Sequence, residues 1–373
     1  MPRNTALIVG GKGQVGRYAV DFLARSGLVS EIFVIDMKEP VDVAMNAVMG
    51  ALINGYPVEV KPIKQDIMNV EETAKLLKEL KPTIIFNAAT MLSTFLYAPI
   101  AKRLVKELSL PLKSYLAGHT LAKDLAPIYK LMQAVKESGI DTKVVNIAFP
   151  DNSHIVLNKV GLSPLIGGGT IDLTVNAIRR IVAKKKNVPV SAVQVSMVAH
   201  HAIRVYPGGE VPYFIKIVVN GEDVTSEFNT DELINESNKM TLGFNNASMV
   251  AASAVENMIS ILGDKKAFRH SPGPNGLPGG YPLEMNADGV EVILPKEITL
   301  DKAIELNLTG MQKDGIERVD PDGTVTYTKE CVMFFEEALG IHGWERMKLE
   351  ETVDLAKELI RVYTELAKKY GYL

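Results

Sequence analysis

The amino-acid sequence predicts an α/β protein in which a doubly wound parallel sheet is followed by a second, α+β domain. Short apolar segments alternate with amphipathic helical patterns through the first 150 residues, which is typical of a parallel sheet. A glycine-rich turn joins the first of these segments to the first helical pattern. The chain has 373 residues, more than one hydrophobic core normally serves, so we predict two domains, 1–150 and 151–373.

Composition and charge exclude several classes of protein. The net charge of −3 gives no positive electrostatic potential that would attract nucleic acid. The sequence contains no run of about 18 apolar residues, so we predict no membrane span. Cys331 is the only cysteine, so we expect no intrachain disulfide and no cysteine metal cluster, and we assign no residue as a metal ligand; a metal requirement stays open. Four residues precede the first strand, which leaves no room for a signal peptide, and we expect a cytoplasmic location.

The stretch 5–17 carries the strongest local signal. An apolar strand is followed by G-x-G-x-x-G and then by a helical pattern, the order required for binding a dinucleotide. The first glycine permits the tight turn, the second lets the backbone approach a pyrophosphate, and the third lets the helix pack on the strand. The pyrophosphate would lie at the helix N-terminus. The residues predicted to contact it are Gly11, Gly13, Gln14, Val15 and Gly16. This pattern predicts a Rossmann-type sheet; an ordinary glycine-rich turn is the alternative.

Asp36 ends the predicted second strand, 31–36, and lies 20 residues after Gly16. A carboxylate at this position accepts hydrogen bonds from the ribose hydroxyls and repels a 2′-phosphate. We therefore predict NAD as the cofactor, with NADP disfavoured, although the nearby Lys38 weakens that preference. The alternative is a capping or turn aspartate.

The rest of the first half continues the alternation. Asp66 follows a predicted strand, 57–60, and is a candidate contact on the adenine side. The strand 82–89 ends in Asn87, Ala88 and Ala89, whose small side chains would let a ligand lie close over the strand ends. The other predicted elements are helices 41–54, 70–80 and 119–137 and strand 143–148.

Residues 91–118 contain apolar helical stretches interrupted by Pro99 and Pro111. We interpret this segment as a helix, a mobile loop and the start of a second helix. It is either a lid over the cofactor or a packing insertion. Pro127 is expected to bend the helix that follows.

The pattern changes after Pro150. The predicted elements are a helix to 186, strands 193–201 and 213–220, a helix 247–263, two hairpins centred on 286–289 and 320–323, and a helix 349–370. The last helix is strongly amphipathic. We expect it to pack on the second domain or, alternatively, to face a partner subunit in a homo-oligomer.

Asp172 and His200 form a candidate acid–base pair. Asp172 begins a predicted helix after three glycines and a threonine, and His200 ends an apolar strand. A dehydrogenase needs a group that takes the alcohol proton, and a carboxylate on the other ring nitrogen fixes the histidine tautomer. The alternative is a helix-capping aspartate and a core histidine.

The second half resembles the lactate/malate dehydrogenase family. That family has a strand ending in an Asn-Pro turn, a Gly-Ser-Gly-Thr-x-Leu-Asp segment, a strand ending in the catalytic histidine and a late hairpin. The corresponding segments here are 148–151, 167–172, 198–200 and 289–294. The resemblance implies that Asp172 and His200 transfer a proton.

This chain also departs from the family. Val175 occupies the substrate-arginine position, Phe149 replaces the asparagine, His201 replaces the glycine after the catalytic histidine, and 91–101 contains no arginine. Without an arginine fork, a small 2-oxo carboxylate loses its bidentate anchor, which argues against lactate and malate. His201 is the alternative functional histidine. Arg204 is a candidate substrate anchor; the alternative is a surface strand arginine.

The first half also resembles the extended short-chain dehydrogenases that act on sugar nucleotides. That family requires Tyr-x-x-x-Lys, and none of the 12 tyrosines has a lysine four positions later. We therefore predict NAD-dependent oxidation of a secondary alcohol, or the reverse reduction, of a small molecule. A non-catalytic NAD-binding sensor is a further alternative.

Overall fold

The computed structural model describes residues 4–112, 116–206, 209–242, 246–264 and 266–373. Strands and helices alternate in the first half. They are β1 Thr5–Val9, α1 Gln14–Ala24, β2 Glu31–Asp36, α2 Val41–Ile53, β3 Glu59–Lys64, α3 Val70–Leu80, β4 Ile84–Asn87, α4 Thr94–Glu107, α5 Leu121–Ser138, β5 Lys143–Asn146, α6 Pro150–Lys159 and β6 Ile166–Gly167.

The first six strands form one parallel sheet in the order β3-β2-β1-β4-β5-β6. The strand order reverses between β1 and β4, so the carboxyl ends of these two strands flank the crevice where such sheets bind ligands. The predicted Rossmann-type sheet is confirmed. This sheet continues through β6, which lies beyond residue 150. The division into domains 1–150 and 151–373 stays a prediction.

Several boundaries differ from the predicted ones for physical reasons. β3 runs from Glu59 to Lys64 rather than over 57–60, because an edge strand tolerates polar residues that interrupt the apolar pattern. β6 has two residues and is too short to produce a pattern. The first helix predicted within 91–118 is α4, which buries Ile100 and Leu104 in the core, whereas residues 113–115 of the predicted loop lie outside the described residues.

The second half contains two antiparallel sheets and further helices. Its elements are α7 Thr170–Lys186, β7 Val193–Ala199, β8 Tyr213–Val219, β9 Glu222–Asp223, α8 Thr230–Leu242, α9 Ala247–Leu262, β10 Ala267–Pro272, β11 Gly280–Asn286, β12 Gly289–Val292, α10 Leu300–Lys313, β13 Ile316–Val319, β14 Val325–Tyr327, α11 Lys329–Met333, β15 Arg346–Met347 and α12 Thr352–Tyr370. The larger sheet has the order β10-β11-β7-β8-β9 with β12 beside β11, and the smaller is β13-β14-β15. Both predicted hairpins are present.

Two helices of the second half pack on the first. α9 lies against α1, and α12 lies against α4 and α5. The last helix therefore packs mainly on the first half, whereas the expectation was the second domain; the core cluster that it joins also contains Phe334 and Phe335 of the second half. Its apolar stripe, including Leu355, Leu359 and Tyr363, shares one core cluster with Ile100 and Leu104. Among the described helices, none has the length and apolar character needed to cross a membrane.

Candidate active site

The glycine-rich turn brings β1, β2 and α1 into close contact. The main-chain N–H groups of Gly10 and Gly11 both donate to the carbonyl of Ile35, at 2.9 and 3.1 Å. Gly10 adopts the left-handed conformation (φ 80°). The tight turn is therefore made at Gly10 and not at Gly11, where the motif predicts it. A Cβ at Gly16 would clash with the Gly10 carbonyl, so the predicted packing role of that glycine agrees with the geometry. Gln14 and Val15 form the first turn of α1.

Asp36 is held beside this turn by two main-chain groups. The Lys12 N–H donates to its Oδ2 at 2.9 Å and the Lys38 N–H to its Oδ1 at 3.2 Å. The Lys12 ammonium lies 2.7 Å from Asp42. Asp36 is therefore positioned at the crevice, whereas the Lys12 ammonium is paired with Asp42.

The ends of β4 and β5 are joined by a buried amide contact. Asn87 donates from Nδ2 to Oδ1 of Asn146 at 2.8 Å, and Asn146 contacts Ser153 and His154 of α6. This arrangement places Ala88 and Ala89 directly after β4, next to the glycine turn. Asp66 is exposed, and its carboxylate accepts from the Met68 N–H in its own turn.

The predicted Asp172–His200 pair does not form. Asp172 accepts a hydrogen bond from Asn176 at 2.8 Å, and burial raises its pKa, partly offset by a hydrogen bond with Ser253. Within the described residues, no hydrogen bond or ion pair joins it to His200. The family segment has two residues between threonine and aspartate, but here there is only Ile171. One residue fewer turns a helical side chain by about 100°.

His200 is fully buried, and both its ring nitrogens have partners. Its Nε2 lies 2.9 Å from Oδ1 of Asn152, and its Nδ1 accepts from the Ala202 N–H at 3.2 Å. The hydrogen-bond network therefore assigns a neutral ring protonated at Nε2. Burial lowers the pKa of His200, partly offset by the carboxylates of Asp314, whose Oδ2 lies 3.7 Å from Nδ1, and of Asp151. Gly310 of α10 packs directly on this ring, where a Cβ would clash.

His201 has a different environment. Its side chain is 26% exposed, and its Nδ1 lies 3.2 Å from Oδ2 of the fully buried Asp314. Burial acts to lower the pKa of His201, but the Asp314 and Asp151 carboxylates outweigh it and raise the pKa above the usual 6.5. Because Nδ1 faces a carboxylate, the network assigns the proton to Nδ1 and leaves Nε2 basic.

The Phe149 ring also packs against His201. The two rings meet edge to face, with 5.2 Å between their centroids. Phe149 has φ 49°, which costs a residue with a side chain on the order of 1 kcal/mol or more. Such strain is concentrated at functional sites. It occurs here in the segment after β5, where the resembling family has its Asn-Pro turn.

Two further charged side chains complete the cluster. Asp151 is buried; its Oδ1 accepts from the His201 N–H at 3.0 Å, and burial raises its pKa. Arg204 is 8% exposed, and its Nη2 donates to Oγ1 of Thr241 at 3.2 Å. Its interpretation as a surface strand arginine is wrong, because it ends a short 3₁₀ turn, 201–204, and is buried there.

Sequence reasoning missed Asp151, Asn152 and Asp314 as members of this cluster. Asp151 and Asn152 belong to the segment compared with the Asn-Pro turn, so that comparison could have found them. Asp314 precedes Gly315, and this pair reads as a simple turn. Across the described ranges, no group of three or more His, Cys, Asp or Glu residues is arranged to hold a metal ion.

Comparisons with known proteins agree with this architecture. The model of the NAD dependent epimerase/dehydratase family matches residues 6–97, less than half of the chain. No curated protein sequence matches. The malate dehydrogenase of Salinibacter ruber has 19% identity and a TM-score of 0.57, over 83% of this chain and 95% of that one.

Two further solved structures are similar. The lactate dehydrogenase of Cryptosporidium parvum, complexed with lactic acid and β-nicotinamide adenine dinucleotide, has 18% identity and a TM-score of 0.59, over 84% of this chain and 99% of that one. The Plasmodium falciparum malate dehydrogenase complexed with NADH has 15% identity and a TM-score of 0.59, over 83% and 97%. The resemblance predicted from the motifs is confirmed at the level of the fold: the chain has the architecture of the lactate and malate dehydrogenases, a Rossmann-type parallel sheet followed by an α+β part.

Proposed function

We propose that this chain is an NAD-dependent dehydrogenase or reductase that interconverts a secondary alcohol and a ketone. The observation that carries this proposal is the His201–Asp314 pair beside the segment that follows β5. A basic imidazole nitrogen, a carboxylate on the other nitrogen and a dinucleotide-type crevice are the parts that such a reaction needs.

The cofactor assignment rests on the glycine turn and on Asp36. NAD supplies the hydride acceptor when bound. The family match over 6–97 and the NAD and NADH complexes of two similar structures support this choice. The residues proposed to hold the cofactor are Gly11, Gly13, Gln14, Val15, Gly16, Asp36, Asp66, Asn87, Ala88 and Ala89.

His201 performs the proton transfer in this proposal. Its Nε2 accepts the hydroxyl proton of the alcohol as the carbon is oxidised, and returns it in the reverse reaction. The imidazolium that forms is stabilised by the Asp314 carboxylate at Nδ1. The sequence motifs favoured His200 as the proton acceptor. In this proposal His200 instead supports the cluster through Asn152, because both of its ring nitrogens already make hydrogen bonds.

Arg204 is proposed to anchor an anionic group of the substrate. His201 and Arg204 are three residues apart in a 3₁₀ turn, so their side chains leave it on the same side. Burial lowers the pKa of Arg204 to about 10, which keeps it charged at neutral pH. In the described part of the chain it has no carboxylate at ion-pair distance, and a buried cation without one is costly. Val175 provides no second arginine, so lactate and malate are not the proposed substrates.

A fluorescence titration of the purified protein with NADH and NADPH tests the proposal. We expect tight NADH binding, weaker NADPH binding and NAD-dependent turnover in a screen of hydroxy acids, polyols and sugar derivatives. Turnover confined to sugar nucleotides would favour the epimerase-type alternative, to which residues 6–97 are similar. Tight binding without any turnover would favour the sensor, and no binding would overturn the cofactor assignment.

Asp36→Ala should lower the preference for NADH over NADPH by about tenfold. The substitution removes the acceptor for the ribose hydroxyls and the charge that repels a 2′-phosphate. The ratio of the two dissociation constants measures the effect. Asp21→Ala removes a surface carboxylate from α1 that pairs with Arg25, and serves as the control. An equal ratio in both variants and the wild type would contradict the ribose assignment.

A further inference from the structure

The first turn of α5 contains a buried ion pair that the proposed reaction does not use. The side chains of Lys123 and Asp124 are 2% and 10% exposed, and the Lys123 Nζ lies 2.7 Å from both carboxylate oxygens of Asp124. Consecutive residues on a helix do not normally face each other. A buried pair is also seldom a net source of stability, because desolvation offsets the attraction. The presence of this buried pair is therefore better explained by the residues that its side chains and main chain bind.

Thr90, in the segment directly after Ala89, is held by this pair. Its hydroxyl donates to Oδ1 of Asp124 at 2.7 Å and accepts from the Lys123 Nζ at 3.2 Å. Both charged groups thus converge on one hydroxyl. This contact orients a residue of the loop that begins at the carboxyl end of β4.

The main chain of Lys123 holds the same loop. In a helix, its carbonyl would accept from the N–H of residue 127, but that residue is Pro127 and has no N–H. The freed carbonyl instead accepts the Met91 N–H at 3.0 Å. The proline inside α5 therefore has a definite consequence, which is a second hydrogen bond to the loop.

The loop so held adjoins the glycine turn. A Cβ on Gly10 would lie 2.9 Å from the carbonyl carbon of Ala88 and 2.9 Å from the nitrogen of Ala89. β2, which ends at Asp36, lies on one side of β1 and β4 lies on the other. A dinucleotide with its adenine ribose at Asp36 and its pyrophosphate at the turn must extend its nicotinamide half over the segment after β4.

We propose that Thr90, Lys123, Asp124 and Pro127 are positioning residues that hold the 88–92 loop for the nicotinamide half of the dinucleotide. This inference rests on the proposed function. Lys123 is too deeply buried to touch a ligand, so it acts through the loop. We call these four residues the clamp. Loss of the clamp should weaken binding of the whole dinucleotide but not of its adenine half.

The test compares NADH with ADP, which contains only the adenine half and the pyrophosphate. Thr90→Val and Lys123→Met should each weaken NADH binding by about tenfold and leave ADP binding within about twofold. Thr90→Ser keeps the hydroxyl and should bind NADH like the wild type. Thr352→Val, which removes the hydroxyl that donates to the Leu349 carbonyl at the start of α12, is the control for the loss of a hydrogen-bonded threonine hydroxyl.

Pro127→Ala separates positioning from stability. It restores an N–H that competes for the Lys123 carbonyl and favours the helix, so we expect about threefold weaker NADH binding without a lower melting temperature. Unchanged NADH binding in all these variants, or equal losses for NADH and ADP, would overturn the clamp. If the wild type binds ADP but not NADH, the proposed function fails and this inference fails with it.

Discussion

Replacing His201 with glutamine should reduce kcat for alcohol oxidation by about 1000-fold, within the range that general acid–base groups contribute. Glutamine retains hydrogen-bonding capacity but cannot take the alcohol proton. NADH affinity should change by less than about threefold, because only the proton-transfer step is removed. Steady-state kinetics and a fluorescence titration on the same preparation measure the two quantities.

His200→Gln is the matched control for this variant. The two histidines are adjacent, but His200 is fully buried with both ring nitrogens engaged. We expect a lower melting temperature and a loss of kcat smaller than about tenfold, since this side chain supports the cluster through Asn152. If His200→Gln abolishes turnover and His201→Gln does not, His200 is the proton acceptor and the proposal for His201 is wrong.

The second large effect is expected from Asp314→Asn. The wild-type carboxylate opposes the effect of burial and raises the pKa of His201 above 6.5. Alcohol oxidation requires the unprotonated imidazole, so kcat/KM should fall as pH drops through that raised pKa. Without the carboxylate charge, burial dominates and the pKa decreases. The acidic limb of the profile should therefore move to lower pH, while kcat falls by about 100-fold because the imidazolium loses its counter-charge.

A pH profile of kcat/KM from about pH 5 to 9 measures this shift. The substitution keeps the side-chain shape, and the hydrogen bond from the Gly118 N–H is to the main-chain oxygen of Asp314, so the fold should be retained. Asp320→Asn alters a partly exposed carboxylate that pairs with surface arginines and is the control. An acidic limb at the same pH in wild type and Asp314→Asn would contradict the pairing.

The first half of the fold was predictable because its signals are local. The strand, glycine turn and helix of 5–24 lie within one short stretch, and Asp36 follows at the expected spacing. Short or exposed elements were not predictable in the same way. β6 has too few residues for a pattern, and β3 lies at the sheet edge, where polar residues are tolerated.

The cluster that we propose to be catalytic was predictable only in part. The apolar strand 193–199 is followed by His200, His201 and Arg204. They were candidates because polar side chains at the end of such a strand are not required for core packing. The carboxylate partner was misassigned because Asp172 matches a motif that is one residue longer. A single residue on a helix decides which face carries a side chain.

The parallel α/β sheet, the dinucleotide-type crevice and the strand that ends in two histidines could be predicted from the residues alone, because hydrophobic period and turn chemistry act over a few residues. Which carboxylate contacts which imidazole depends instead on tertiary packing. Asp314 reaches His201 across 113 residues of chain, and Arg204 is buried by elements that are distant in sequence. Such pairings depend on how α10, α6 and the 3₁₀ turn pack together, and packing leaves no periodic signal in the chain.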